Sequence, residues 1–377
     1  MKKTSGNGNL LRSVTAMLIV VILVLTISIA VSGWQADANG ENSGEDGNLT
    51  DNADNPNGDT DHSDGTADNN TQIPTVTIPK DPEYTYYLTG LECDAESTTT
   101  LPYAFVMESS APLYGIANTE MLIEVPTENG KTRYIVYKSS IDSLGKIGAI
   151  SKTRAYISAI AKSFGGILVA NGDDDIVKYS APSATLHLDL SLRSESLYME
   201  NGKNLYTDSK LIADFLQEEA LDRDSYRKQS LPFSFAAFGE IVRGNSSAKK
   251  IVIPYSDSES SELIYDPSCG KYILSKGGRD KIDMLTGDAA SFTNALILFA
   301  DTITYELSEG TESVIDVDGG GYGYYATNGG LTEIRWSVDS SGNLLIKTLS
   351  SETLVINRGN TYVSYFKSSV ADKVLFE

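Results

Sequence analysis

Cysteine and histidine are nearly missing from this chain. It has two of each, Cys93 and Cys269, His62 and His187. Two cysteines cannot build the disulfide framework of a small secreted fold, so the folded part must rest on a hydrophobic core of its own. Their separation neither demands nor forbids a bridge. One of the two imidazoles lies in a polar tract, and the other alone cannot supply a zinc site or a histidine-based triad. Gly-Xaa-Ser-Xaa-Gly and Cys-Xaa-Xaa-Cys are both absent, and no cofactor is implied. Positive charge is scarce as well: the formal net charge is -21, which repels nucleic-acid phosphate and removes nucleic acid as a partner.

The segment Val14–Val31 lacks any charge, and Lys2, Lys3 and Arg12 precede it. Its 18 residues rise about 27 Å as a helix, close to the hydrocarbon thickness of a bilayer. Basic residues on the N-terminal flank keep that end in the cytoplasm and send the rest across. Residues 1–33 are therefore expected to be a single-pass anchor with the globular part outside. A cleaved signal peptide is the competing reading, because Ala30, Ser32 and Gly33 suit a peptidase. Cleavage would give a secreted form.

Residues 34–82 read as a disordered acidic linker. Ala36 to Thr77 holds ten Asp and Glu, no Lys or Arg, and too few apolar residues to offset chain entropy. Asp59, Asp61 and Asp64 invite a calcium loop, yet Asp64 and Asn70 stand where the loop needs its Gly and its Glu.

Beyond Glu83 strand and helix patterns alternate. Ala104–Met107, Met121–Val125, Arg133–Tyr137 and Ile167–Ala170 read as strands. One helix runs from about Thr153 to Phe164 and stops at Gly165-Gly166. A second is capped by Asp208 and carries Leu211, Ile212, Phe215 and Leu216 on one face. After Leu231-Pro232 nearly everything reads as strand: Lys250–Ile253, Leu263–Asp266, Lys271–Leu274, Tyr322–Ala326, Ile334–Ser337, Leu344–Thr348 and Tyr362–Phe366. Gly and Asn-Gly signals between them fit hairpins. The fold class expected is α/β (α+β). Residues 83–228 form a mixed sheet with packed helices, 229–370 a β-rich half, and the seam falls near Tyr226–Ser230.

Several constellations have a chemical and a plain reading. Glu124 and Glu128 are spaced to serve as an acid and base pair, or to pair with Arg133 and Arg154. The two arginines suit bidentate capture of carboxylate or phosphate, Arg154 just inside a helix start. Asp173–Asp175 reads as a solvated turn rather than a metal site. Asp318–Gly323 lacks the Lys and Ser/Thr of a phosphate loop and reads as a bulge or tight turn. Tyr322, Tyr324, Tyr325 and Trp336 form either a sugar-stacking platform or core and cross-strand pairs.

A run of short motifs gives the chain a resemblance. Tyr87-Leu-Thr-Gly-Leu91, Glu120-Met-Leu-Ile-Glu124, Glu128-Asn-Gly-Lys-Thr-Arg133, Ile147-Gly148 and Arg154-Ala-Tyr156 come first. Asn204-Leu-Tyr-Thr207, Leu231-Pro-Phe-Ser-Phe235, Tyr265-Asp266, Gly270-Lys-Tyr272, Asp283 and Gly359-Asn-Thr-Tyr362 follow in order. Together they make Tyr84 to Phe366 resemble the YerB-like bacterial envelope proteins, the family of domain of unknown function 3048. The resemblance implies a lipoprotein or membrane-anchored protein of Gram-positive bacteria with no established reaction. It adds Thr132, Asn204 and Tyr206 to Glu124, Glu128, Arg133 and Arg154 as the expected ligand-binding set. The chain also departs from the pattern. It has no cysteine near the end of the apolar run for a lipid anchor, Ser151 replaces the usual arginine, and Lys203 replaces a common histidine.

Two activities stay open. The preferred one is a non-catalytic envelope module that binds a cell-envelope protein or wall polymer. The other is a wall-acting hydrolase or transferase using Glu124 and Glu128.

Overall fold

The computed structural model of the chain describes residues 81–99, 101–127, 130–142, 144–172, 187–219, 230–307 and 310–377. The expected anchor, the expected linker as far as Lys80, Glu128, Asp173–Asp175 and most of the expected seam lie outside them; of the linker's last two residues, Asp81 accepts the Phe238 N–H at 2.7 Å. Among the described residues no helix is long and apolar enough to cross a membrane.

The first half supplies eight strands: β1 (Tyr103–Glu108), β2 (Met121–Pro126), β3 (Thr132–Lys138), β4 (Ile147–Ile150), β5 (Ile167–Ala170), β6 (His187–Asp189), β7 (Tyr198–Glu200) and β8 (Asn204–Thr207). The second half supplies β9 (Lys250–Ser256), β10 (Glu259–Asp266), β11 (Lys271–Lys276), β12 (Asn294–Ala300), β13 (Gly320–Thr327), β14 (Gly330–Val338), β15 (Leu344–Thr348) and β16 (Thr361–Lys367), with shorter pieces between. Two ten-residue helices, α1 (Ala155–Phe164) and α2 (Ser209–Glu218), complete the frame. In α2 the Asp208 side chain accepts the Leu211 N–H at 2.8 Å, the expected N-cap.

Strands make up 47% of the structure and helix 14%, so the molecule is mostly β around one large mixed sheet. The expected half with a layer of packed helices is thus corrected. The first half contributes eight strands to that sheet beside its two longer helices, and its main strands are buried on both faces rather than alternating.

The large sheet runs β14-β13-β12-β16-β2-β3-β1-β4-β8-β7, with Ser246–Ser247 and β15 on β14, and β5 and then β6 beside β1. Strand β16, near the C-terminus, lies parallel to both β12 and β2. One sheet therefore passes through both halves of the chain. A second sheet of six strands is built around β9, β10 and β11.

Alternation along the central strands divides the core in two. Leu122, Tyr134 and Val136 share a cluster with Ile251, Ile253, Leu263, Tyr272 and Leu274 of the second sheet. Ile123, Val125, Ile135 and Tyr137 share the other with Tyr156, Ile157, Ile160, Ala161 and Phe164 of α1. Successive side chains of a strand point to opposite faces, so each central strand feeds both clusters. A sheet apolar on both faces must be covered on both.

The segment Asp318–Gly323 divides: Val317 to Gly319 form a bend, in which the Asp316 side chain accepts the Asp318 N–H at 3.0 Å, whereas Gly320 to Gly323 lie within β13. A Cβ at Gly323 would come within 2.4 Å of the Ile297 carbonyl oxygen of β12. That oxygen is backbone held in a ladder and has no rotamer by which to withdraw.

Gly323→Ala is expected to destabilise the protein by about 1–3 kcal/mol, the usual effect of overpacking. Gly145→Ala, where a Cβ meets nothing within 4 Å, should be neutral. Thermal melts of the two variants beside the parent check this, and equal melting temperatures would contradict the close approach.

Candidate functional site

Glu124 is the one carboxylate of β2, and its side chain is entirely buried. Its register partner on β3 is Tyr134, which places it on the face covered by the second sheet. There Oε1 accepts hydrogen bonds from Thr132 Oγ1 at 2.6 Å, Ser261 Oγ at 3.0 Å and Lys276 Nζ at 2.7 Å. Oε2 accepts from the Tyr362 hydroxyl at 2.6 Å. The partners come from β3, β10, β11 and β16, so four strands converge on one carboxylate.

Lys276 is the centre of this group. Besides Glu124 it reaches Glu259 Oε1 at 2.7 Å and Ser109 Oγ at 3.1 Å, and it lies over the Tyr134 ring at 5.4 Å. Ser109 and Thr132 share a hydrogen bond of 2.8 Å. Nearby the Tyr255 hydroxyl is 2.7 Å from Ser364 Oγ.

Electrostatics fix the protonation of the central pair. Burial alone would raise the Glu124 carboxyl; the Lys276 charge and the bonds from Lys276, Thr132 and Tyr362 outweigh it and hold it below its ordinary value. Burial would lower the Lys276 ammonium, and Glu124 with Glu259 raise it instead. A lysine kept charged is no general base, and a carboxylate surrounded by four donors has no lone pair aimed at open space. The cluster is built as an ion pair joining two sheets.

The other expected site residues do not gather here. Thr132 belongs to the cluster, but Arg133 does not, because its register partner is Val125 and its side chain takes the opposite face. The expected pairing of Glu124 with Arg133 or Arg154 is replaced by Lys276. Arg133 Nη1 donates to the Lys152 carbonyl at 2.9 Å, two residues before Arg154, which occupies the N-cap of α1 and is 7% exposed. Asn204 and Tyr206 stand on β8, four strands from β2 in the sheet order. There the Tyr206 and Tyr114 rings hold Lys146 at 4.1 and 4.0 Å, and Lys146 pairs with Glu200 at 2.6 Å. Glu128 lies outside the described residues. Cys93 and Cys269 are not joined to each other by a disulfide, and Cys269 lies at an exposed turn.

Lys276, Glu259, Ser261 and Tyr362 are the members that sequence reasoning passed over. A signal was present in β11, where Tyr272, Leu274 and Lys276 share a parity, so the lysine continues the apolar face of its strand.

The four aromatics of the second half also separate by parity. Tyr325 and Trp336 are core residues, the Trp336 indole N–H donating to the Phe299 carbonyl at 2.9 Å. Tyr324 packs on Phe376 with ring centroids 4.6 Å apart. Tyr322 alone of the four stands 47% exposed, so the sugar-stacking platform is reduced to one ring. It forms a cross-strand row with Arg335 and Lys347 on β14 and β15. This row borders a groove of about 430 Å³ that also includes Ser337, Thr348 and Ser351. A second depression of about 460 Å³, with Glu333 and Leu349, continues from it at Thr348. Among the described residues no group of three His, Cys, Asp or Glu is placed to hold a metal ion.

Glu124 ionises in the folded state below its ordinary 4.5, so its contribution is present above that pH and lost as pH falls through the folded value. Lys276 ionises above its ordinary 10.5, so its contribution is complete below that pH and lost as pH rises through the folded value. Lys276→Met should cost about 3–5 kcal/mol at pH 7, because it leaves a buried charge unpaired. The deficit should shrink at pH 4 as Glu124 takes up a proton. Urea unfolding at the two pH values measures it, and a deficit independent of pH would refute the pairing.

The profile described as "Protein of unknown function (DUF3048) N-terminal domain" matches residues 88–222. The one described as "Protein of unknown function (DUF3048) C-terminal domain" matches residues 251–363. Comparison with curated proteins gives no match. Among solved structures, the crystal structure of YerB protein from Bacillus subtilis is similar at a TM-score of 0.64 and 20% identity, covering 75% of this chain and 96% of that one. At that identity the likeness concerns the fold. Glu124 falls within the first matched segment and Lys276 with Tyr362 within the second, so the ion pair joins both parts of one architecture, and the chain belongs to the DUF3048 family of proteins of unknown function.

Proposed function

We propose that this protein is a membrane-held binding module of the cell envelope, its folded part outside the cytoplasm, recognising an envelope protein or wall component without transforming it. The observation that carries this reading is the division of polar groups between interior and surface. The strongest carboxylate cluster is consumed internally by the Glu124–Lys276 pair, and an open polar groove lies instead beside Tyr322, Arg335 and Lys347. Binding needs an accessible surface of fixed donors; acid–base catalysis needs titratable groups poised near neutral pH and open to substrate. Glu124 meets neither catalytic requirement, which weakens the hydrolase or transferase alternative at one of its two carboxylates.

The location rests on Val14–Val31 and the basic residues before it. The retained anchor fits a module working at the membrane's outer face, and cleavage would release the same domain to the exterior.

Proteolysis of intact protoplasts that express the full chain should digest the region from residue 81 onward. Survival of that region until the cells are lysed would overturn the external placement. Crosslinking in intact cells should capture an envelope protein, and recovery of bulk wall fragments alone would favour a wall polymer as the partner.

A further inference from the structure

One face of β13, β14 and β15 carries a pair of cations whose placement costs stability, beside a tyrosine whose ring packs on Phe299 at 4.8 Å. Arg335 and Lys347 are direct register partners on neighbouring strands, and Tyr322 completes the row on the other side of Arg335. Like charges directly opposite each other on antiparallel strands repel. In a chain of net charge -21 a nearby carboxylate would be the simple remedy, yet neither cation makes an ion pair among the described residues. Lys276, a cation of the interior, has two carboxylates. The outer pair, Arg335 exposed and Lys347 half-buried, borders an open groove.

We infer that Arg335 and Lys347 bind the free carboxylate of a peptide C-terminus, with Tyr322 packing against the residue that bears it and the preceding residue lying toward Thr348. This rests on the reading of the chain as a binding module and names the chemistry its groove takes.

An anion supplies the compensation the row lacks. Arginine presents two parallel N–H donors that match a carboxylate, and lysine adds a point charge beside it. Gly320 is the register partner of Ser337 and brings no side chain to the next row, which leaves room beside the Tyr322 ring. A volume of about 430 Å³ suits a small ligand rather than a protein face.

Two observations select a peptide over a polyanion. A phosphate polymer needs a track of cations along its backbone. Here the cations stop after two, and the adjoining depression offers Glu333 and the 57% exposed Leu349 instead. The net negative charge of the whole chain also disfavours a long anion, whereas a single carboxylate is held at short range where screening matters little. Positive groups at one end and mixed polar and apolar groups at the other match a chain that ends in a carboxylate.

The test uses the full chain in detergent micelles, with N-acetyl-Ala-Ala as probe and its C-terminal amide as control, followed by ligand-observed NMR titration. The free acid should bind, and the amide should bind at least about tenfold more weakly, as expected for loss of a charge-assisted contact. Arg335→Gln with Lys347→Gln relieves the repulsion, so it should melt no lower than the parent and lose at least about tenfold in affinity for the acid. Inorganic phosphate at equal concentration should not displace the peptide. The inference fails if acid and amide bind alike, if neither binds, if the double variant binds as the parent does, or if phosphate competes equally well. If the double variant still captures its envelope component in cells, this groove is excluded while the binding-module reading stands. Loss of all capture in the parent would remove the module reading itself.

Discussion

Burying Glu124 is the constraint around which the centre of the molecule is arranged. A carboxylate taken wholly out of water is tolerated only when a cation and several donors replace its hydration. The replacement is assembled from β3, which follows β2 in sequence, and from β10, β11 and β16, whose residues stand 137 to 238 positions away from Glu124. Lys276 alone is 152 positions from Glu124. The second sheet must therefore cover the large one in a single register, since a shift by one residue would turn Lys276 away and present an apolar neighbour to a buried charge. An apolar centre of equal volume would be as stable or more so. What the ion pair adds is discrimination between registers, because no other alignment brings an ammonium to that carboxylate.

Strand β16 makes the same point through the backbone. It enters the large sheet between β12 and β2, parallel to both, so the last long strand of the chain joins the two halves. Its Tyr362 hydroxyl then donates to Glu124, tying that insertion to the polar centre. Parallel neighbours buried on both faces leave no edge for water, which agrees with the complete burial of Asn294–Ala300 beside it.

These features show what a sequence can and cannot disclose. Ile167–Ala170 and Leu344–Thr348 fall where their branched residues predicted, and Asp208 caps its helix as its position required. Asn328-Gly329, both at positive φ, close the hairpin between β13 and β14, the conformation that pair of residues favours. The central strand Asn294–Ala300 was not legible. Buried on both faces, it is an unbroken apolar run without the alternation that marks a half-exposed strand. Both helices fall where their patterns placed them, but the strands around them join one large mixed sheet that spans both halves, which the α/β alternation did not disclose. The site was partly legible: Glu124 stood out as a lone acid in a strand, but proximity in sequence suggested Arg133, and the pleat sends Arg133 to the other face.

The contrast between Lys276 and the Arg335–Lys347 row follows from neighbours rather than residue type. On β11 the face of Tyr272 and Leu274 lies against the large sheet, so the cation that continues it must meet carboxylates. On β14 the face of Arg335 starts buried at Leu331 and is exposed at Glu333, Arg335 and Ser337, while Ile334 and Trp336 point to the other, buried face. Solvation makes an exposed cation inexpensive on its own, but it does not remove the repulsion between two cations held side by side on adjacent strands. The interior pair is explained by the fold that needs it. The exterior pair has no such internal partner, so its electrostatics are completed only by an anion brought from outside.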